Sequence, residues 1–411
     1  MMLSYGGPIG VARAPVRLGE VRAEPGDVFQ PRFVRSLRNW REGDSYTPER
    51  LTRLRRDLTG TGAVSRASTR LDAPNADGTR DVVLEIEPSK RFAYELGLGY
   101  STTEGPGVDA QWTERNLTGR ADALTASATL SDILQSVSVE LTRPHAAGLG
   151  HARSFGAQVA REDTDAYTRE GVAIFTSVDA APRLRLGHNY GLRLSADHFD
   201  NSNDTSTDAY VLSGLASIRR DTTSFTLDPR NGSIVDLRIE PSVSTGDATI
   251  TFARAIAEAR IYESVGHNDQ LTLAARGRVG WLEAFSGSPD NVPPDHRFYA
   301  GGGGSVRGYR YDTIYPHERD ALGLNPGGQG LVETSVEARW RFDERYGAVA
   351  FLDGGTAFDK WNDATDLSWG VGVGFRYNLG FAPLRVDVAV PLDDTQTSDS
   401  YALYISLGQA F

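Results

Sequence analysis

The chain has 411 residues, a formal net charge of −11 with acidic and basic residues interspersed, and no cysteine. A disulfide framework and a thiolate metal site are thereby excluded, and no basic block or stripe points to nucleic acid. No apolar run approaches the roughly 18 residues of a membrane helix, but 44 glycines and frequent alternation fit many β-strands, and the polar inner face of a transmembrane barrel lowers its average hydropathy.

Residues 1–15, beginning MMLSYGGPIGV, read as an N-terminal extension without the charged region and apolar core of a secretion signal. On this reading a secreted chain starting here would have lost its signal or upstream domains. Residues 16–89 read as a separate small α+β unit in the order β-α-α-β-β. Arg17 to Val21 alternates as a short strand. Phe33, Val34 and Leu37 lie at helical spacing, with Trp40 one turn on, and Glu42-Gly43-Asp44 is a turn. Thr47 is placed to N-cap a second helix that has Pro48 at its first position. Leu51, Leu54 and Leu58 give that helix one apolar stripe, and the stretch Gly60 to Gly62 ends it. Ser65 to Leu71 and Asp81 to Glu87 read as a strand pair.

From residue 90 to 411 no helical pattern persists. Phe92, Tyr94, Leu96, Leu98 and Tyr100 alternate with small or polar residues, the period-two signature of a strand with one apolar face. The pattern recurs. Val332, Val336, Trp340 and Phe342 oppose Glu333, Glu337, Arg339 and Arg341. Leu384, Val386, Val388 and Val390 oppose Arg385 and Asp387. Tyr401, Leu403, Ile405, Leu407 and Phe411 oppose Tyr404, Ser406 and Gly408. About sixteen such segments fit this stretch at about twenty residues for each strand with its connection, enough for membrane strands of roughly 9–11 residues. The expected fold is therefore mainly β, a sixteen-stranded antiparallel transmembrane β-barrel behind the α+β unit. The charged alternate face suits a wet interior. Tyr94, Tyr100, Trp112, Trp281, Trp340 and Trp369 are candidates for interfacial girdles. Asp228-Pro229-Arg230-Asn231-Gly232 is a hairpin signal, and strand counting puts it on the periplasmic side.

The same counting puts a long connection, residues 286–329, on the outer side. A connection of this length is functional or disordered. It contains GGGGSVRGYRY, Gly301 to Tyr311, where a glycine run precedes cationic and aromatic residues. A lone loop arginine is ordinarily solvated. This mixture points instead to a loop folded into the polar interior, docked by Val306-Arg307-Gly308-Tyr309. A buried guanidinium needs partners, and its fork suits carboxylates. Glu337, on the strand after the loop, and Asp353, on the next, are the expected acceptors. Asp353 shares a face with Val349 and Phe351, which requires Phe351 to pack under the loop.

Several segments carry a family resemblance. VRGYRY (Val306 to Tyr311) resembles the loop motif of the BamA-type outer-membrane assembly superfamily, and FLDGG (Phe351 to Gly355) its second barrel motif. The β-α-α-β-β unit resembles a POTRA domain. More narrowly, ELGLGYSTTEGPGVDAQW (Glu95 to Trp112), SADHF (Ser195 to Phe199), VPPDHRFYAGG (Val292 to Gly302) and the ending LYISLGQAF resemble the TamA, or translocation and assembly module, family. Such proteins usually carry three POTRA domains, and only the membrane-proximal one has a counterpart here. The resemblance implies a Gram-negative outer membrane with the POTRA unit in the periplasm. It also implies insertion or secretion of autotransporter-type clients, an inner-membrane-anchored TamB-like partner, contact with membrane lipids, and a lipid-transport role.

The expected mechanism needs no cofactor or metal. The weak point of a closed barrel is the seam between first and last strands, here marked by Gly97 and Gly99 and by Gly408 and Phe411. Opening it exposes backbone groups in lipid, which an incoming strand satisfies by β-augmentation. The alternatives are a general BamA-like insertase, a two-partner secretion transporter and a passive porin. An enzyme would need a nucleophile–base–acid set, and the seven histidines group with no such set.

Overall fold

The computed structural model describes residues 15–183, 185–201, 206–225, 227–266, 270–315, 327–380, 382–393 and 400–411. Nearly all of the expected N-terminal extension, and residues 316–326 of the long loop, lie outside this set. Two compact units result. The first takes residues 1–92 with the connections 114–123 and 143–150, and the second takes the remainder.

In the first unit the order is β1 (Arg17–Glu24), α1 (Pro31–Ser36), α2 (Pro48–Thr59), β2 (Val64–Pro74) and β3 (Thr79–Pro88). The sheet runs β1-β3-β2, with β1 parallel and β2 antiparallel to the central strand. The leucine stripe of α2 buries Leu51, Leu54 and Leu58 against Leu18, Val82 and Leu84. Trp40 lies beyond α1 and donates from its indole to the Gly19 carbonyl at 2.8 Å. Thr47 occupies the N-cap position of α2 in extended backbone, but its side chain accepts no cap hydrogen bond. Position and proline at N1 therefore start this helix without the expected hydroxyl contact. In the same unit, His145 Nδ1 accepts from the Gly150 amide at 3.0 Å, and Nε2 lies 3.1 Å from the Asp57 carbonyl. Burial lowers the His145 pKa below its ordinary value.

The second unit is a closed barrel of sixteen strands. In order these are β4 (Phe92–Ser101), β5 (Gly105–Arg115), β6 (Ala123–Leu130), β7 (Leu134–Arg143), β8 (His151–Asp163), β9 (Tyr167–Arg183), β10 (Leu186–Asn201) and β11 (Ser206–Asp221). Then come β12 (Gly232–Gly246), β13 (Ile250–Val265), β14 (Leu271–Ala284), β15 (Gly330–Arg341), β16 (Tyr346–Phe358), β17 (Ser368–Asn378), β18 (Pro383–Pro391) and β19 (Ala402–Leu407). Each strand neighbours the next in sequence, and β19 closes on β4.

Alternation decides which medium each face meets. Outward Ile174, Leu194 and Val373 are 59, 48 and 65% exposed, while Glu337, Asp353 and Asp387 on the inner face are 0–1% exposed. Apolar exposure costs about 25 cal/mol per Å² in water and nothing comparable in hydrocarbon. Among the described residues no helix is long and apolar enough to cross a membrane; the strands cross it. Tyr94, Tyr100 and Trp340 are exposed near the strand ends, whereas Trp112, Trp281 and Trp369 are half-buried. The connection carrying Asp228 to Gly232 lies at the end where β4 begins, and the long loop lies at the opposite end, as strand parity requires.

Candidate functional site

The loop leaves β14 through two short 3-10 turns, Pro289–Asn291 and Pro294–His296. Its two legs pair through isolated bridges, Phe298 with Gly328 and Ala300 with Ile314. The tip between them turns into the lumen, where Val306 and Tyr309 are 0% and Arg307 is 2% exposed. Gly308 has φ +104°, and a Cβ there would come within 2.9 Å of the Val390–Pro391 backbone, so only glycine fits.

Arg307 meets three carboxylates. Its Nε and Nη2 donate to the two oxygens of Asp353 at 2.6 and 2.9 Å, a bidentate fork. Nη1 lies 2.7 Å from Glu337 Oε1, an ion pair whose angle is not that of a hydrogen bond, and donates to Asp387 at 3.2 Å. The guanidinium carbon sits 3.4 Å from the centre of the Phe351 ring, a cation–π stack. Register explains the convergence. Glu337 pairs across the ladder with Phe351 and Ser335 with Asp353, so all four face inward. The expected packing of Phe351 under the loop is what the structure has.

Asp387 was not among the expected acceptors. The only signal for it was its place, with Arg385, on the polar face of its strand. It is also bonded by Arg376 and lies 3.5 Å from Arg385, while Arg339 donates to Glu337 at 2.7 Å. Four guanidinium groups thus interlock with three carboxylates. Such a network fixes geometry; it offers no free nucleophile or base.

Further contacts hold the loop from other sides of the wall. Arg276 on β14 donates to the Gly304 and Ser305 carbonyls at 2.6 and 3.0 Å, and the Ser305 hydroxyl donates to Glu333 on β15. Arg169 on β9 donates to Asp295 at 2.5 Å, and His296 lies 3.6 Å from Glu240 on β12. The Tyr309 hydroxyl is 3.1 Å from the Trp369 carbonyl and 3.0 Å from Asp393. Among the described residues, no cluster of three or more histidines or acids has metal-binding geometry.

The seam is short. The ladder between β19 and β4 holds two pairs, Tyr404 with Ser101 and Ile405 with Tyr100. Gly97 and Gly99 lie on β4 beyond it. Gly408, at φ +92°, ends β19 and turns the following residues inward. Phe411 is therefore not on the lipid face that its alternation predicted. It is buried beside Tyr262, and its carbonyl accepts from Arg339 at 2.9 Å. Gln409 bonds Arg376 and Asp228. Inward polar partners thus override the period of the last strand.

Residues 116–411 match the Omp85 superfamily domain. The chain belongs to the Omp85 superfamily. With a closed sixteen-stranded barrel, this makes it a bacterial outer-membrane protein. The Omp85 chain is 25% identical over 389 residues to an outer membrane protein assembly factor BamA from Nitratidesulfovibrio vulgaris; the match covers 90% of this chain and 48% of that protein, about half its length. In fold it resembles a crystal structure of BamA from Haemophilus ducreyi lacking POTRA domains 1–3, with TM-score 0.79, 16% identity, and coverage of 95% of this chain and 84% of that one. It also resembles CdiB from Acinetobacter baumannii, with TM-score 0.63, 14% identity, and coverage of 96% and 74%.

Proposed function

We propose that this protein is an assembly or translocation factor that delivers client polypeptides into or across the outer membrane at its seam. One observation carries the reading: a closed wall whose first and last strands share only two ladder pairs. Backbone groups left beyond the ladder cost several kcal/mol each in lipid, and an extended client strand satisfies them by β-augmentation. The docked loop braces the wall while the seam changes partner. The β-α-α-β-β unit acts as a POTRA domain in the periplasm. The TamA-like segments favour autotransporter-type clients, a TamB-like partner and a lipid-transport role within this scheme.

The test uses cysteines on β4 and β19, which are clean because the chain has none of its own. Locking the seam by a disulfide between Tyr100→Cys and Ile405→Cys is expected to stop client assembly, with recovery on reduction. Undiminished assembly by the locked protein rejects the reading. A second reading, secretion through the lumen, draws on the fold likeness to CdiB. It predicts that tethering the loop tip to the wall, by Ser305→Cys with Glu333→Cys, blocks export. The seam reading expects that tether to be tolerated.

A further inference from the structure

The stretches SADHF and VPPDHRFYAGG play no part in receiving Arg307, yet the fold packs them into one cluster. Asp197 on β10 and Glu162 on β8 lie 3.8 and 3.6 Å from the guanidinium of Arg169 on β9. That guanidinium donates at 2.5 Å to Asp295, on the leading leg of the long loop. A Cβ at Gly171, the cross-strand partner of Asp197, would collide with the Asp197 carboxylate, so glycine there leaves the acid room beside Arg169. Next to this pair, His296 Nε2 lies 3.6 Å from Glu240 on β12, which also accepts from Arg254 on β13 at 3.0 Å. The imidazole stands edge-on to Phe252 at 5.4 Å, and the Phe298 ring covers Gly280 on β14, where a Cβ would come within 2.5 Å of it.

The leg is thus held by charged groups that the tip does not use. The charges are also crossed. At the leg an acid of the loop meets a cation of the wall, whereas at the tip the cation Arg307 meets acids of the wall. Neither site can accept the other's partner. Distance separates them further. Arg169 is on β9 and Asp353 on β16, seven strands apart in a closed ring of sixteen, which is nearly a diameter.

We propose that the long loop is a strut with two independent feet, and that Arg169 keeps the leading leg on the β8–β13 wall when the Arg307 foot is released. The tip then swings about a fixed leg and remains within reach of its acids. Arg169 is a positioning residue: it sets where the loop pivots and touches no client. The inference does not depend on the seam, and it stands or falls whatever path a client takes.

Two buried valines report the feet separately: Val292 on the leg, 2% exposed, and Val306 at the tip, 0% exposed. The chain has no cysteine of its own, so Val292→Cys and Val306→Cys, made singly, can be probed in the whole protein with a water-soluble maleimide. Both should be protected. Arg307→Ala should raise the labelling rate at 306 by about tenfold, the change that one charge-assisted hydrogen bond supports, and leave 292 protected. Arg169→Ala should do the reverse, and Arg169→Lys, which keeps the charge, should restore protection at 292. Heat-modifiable migration on gels reports whether the barrel is folded. Should Arg169→Ala not fold, because three acids then lack their cation, Asp295→Asn removes the loop's charge with little change of shape and serves with the same readout. Labelling at both positions on release of either foot overturns the proposal, as does a 292 site indifferent to both Arg169→Ala and Asp295→Asn. In planar bilayers, Arg169→Ala combined with Arg307→Ala should raise conductance by more than the two single variants added together, because either foot alone keeps the loop in the lumen. Strictly additive increments overturn the strut.

Discussion

Arg307 holds its charge at 2% exposure among three carboxylates. Truncating one partner of a buried pair strands the other, at about 3–5 kcal/mol. Arg307→Ala is therefore expected to lower the temperature at which the folded gel band disappears. Arg307→Lys should recover only part of the loss, because one ammonium cannot bond both oxygens of Asp353 and still reach Glu337 and Asp387. Phe351→Leu removes the ring but keeps most of the volume, and should cost about 1–2 kcal/mol through the lost cation–π stack. Equal stability of the leucine variant in denaturant titration would show that the ring acts only as filler. Arg307, Glu337 and Asp353 were legible in the sequence because glycine run, arginine and strand carboxylates follow one another. Asp387 was not, because 80 residues separate it from Arg307 and only barrel closure brings β18 to the loop.

Among the elements, α2 separates position from contact. Its N-cap threonine makes no side-chain bond, so Thr47→Ala should cost a few tenths of a kcal/mol, against about 1 kcal/mol for a bonded cap. Leu54→Ala, at a fully buried site, should cost about 2–5 kcal/mol. Thermal unfolding followed through the buried Trp40 distinguishes the two. His145 adds a pH dependence. Its pKa is lowered in the folded unit by burial, so the unfolded chain takes up the proton first as pH falls. The stability tied to the neutral ring is present above about pH 6.5 and is lost as pH drops through the depressed folded value. Protonation also removes Nδ1 as acceptor for the Gly150 amide. Melting temperature should fall over that window in the parent and flatten in His145→Gln. The helical stripe and strand alternation of this unit were plain in the sequence. The parallel pairing of β1 with β3 was not, since period two fixes a strand's faces and says nothing of its direction.

For the whole molecule, the lumen is the measurable quantity. With the loop bonded to β9, β14, β15, β16 and β18, conductance in planar bilayers should be small and should rise on Arg307→Ala; a large steady conductance in the parent would favour a porin. Strand number and the two-sided polarity of the wall could be read from alternation, because a barrel exposes one face to lipid and hides the other. The end of β19 could not. Phe411 alternates correctly for a lipid-facing residue, yet the turn at Gly408 and the guanidinium of Arg339 draw it inside. One consequence concerns the birth of the barrel. All three acids that receive Arg307 lie later in the chain, at positions 337, 353 and 387. The arginine has no finished receptor until β15, β16 and β18 all stand in the wall. Locking the tip is thus a closing act of maturation, and defects there should delay the heat-resistant form while leaving the early gain of sheet untouched.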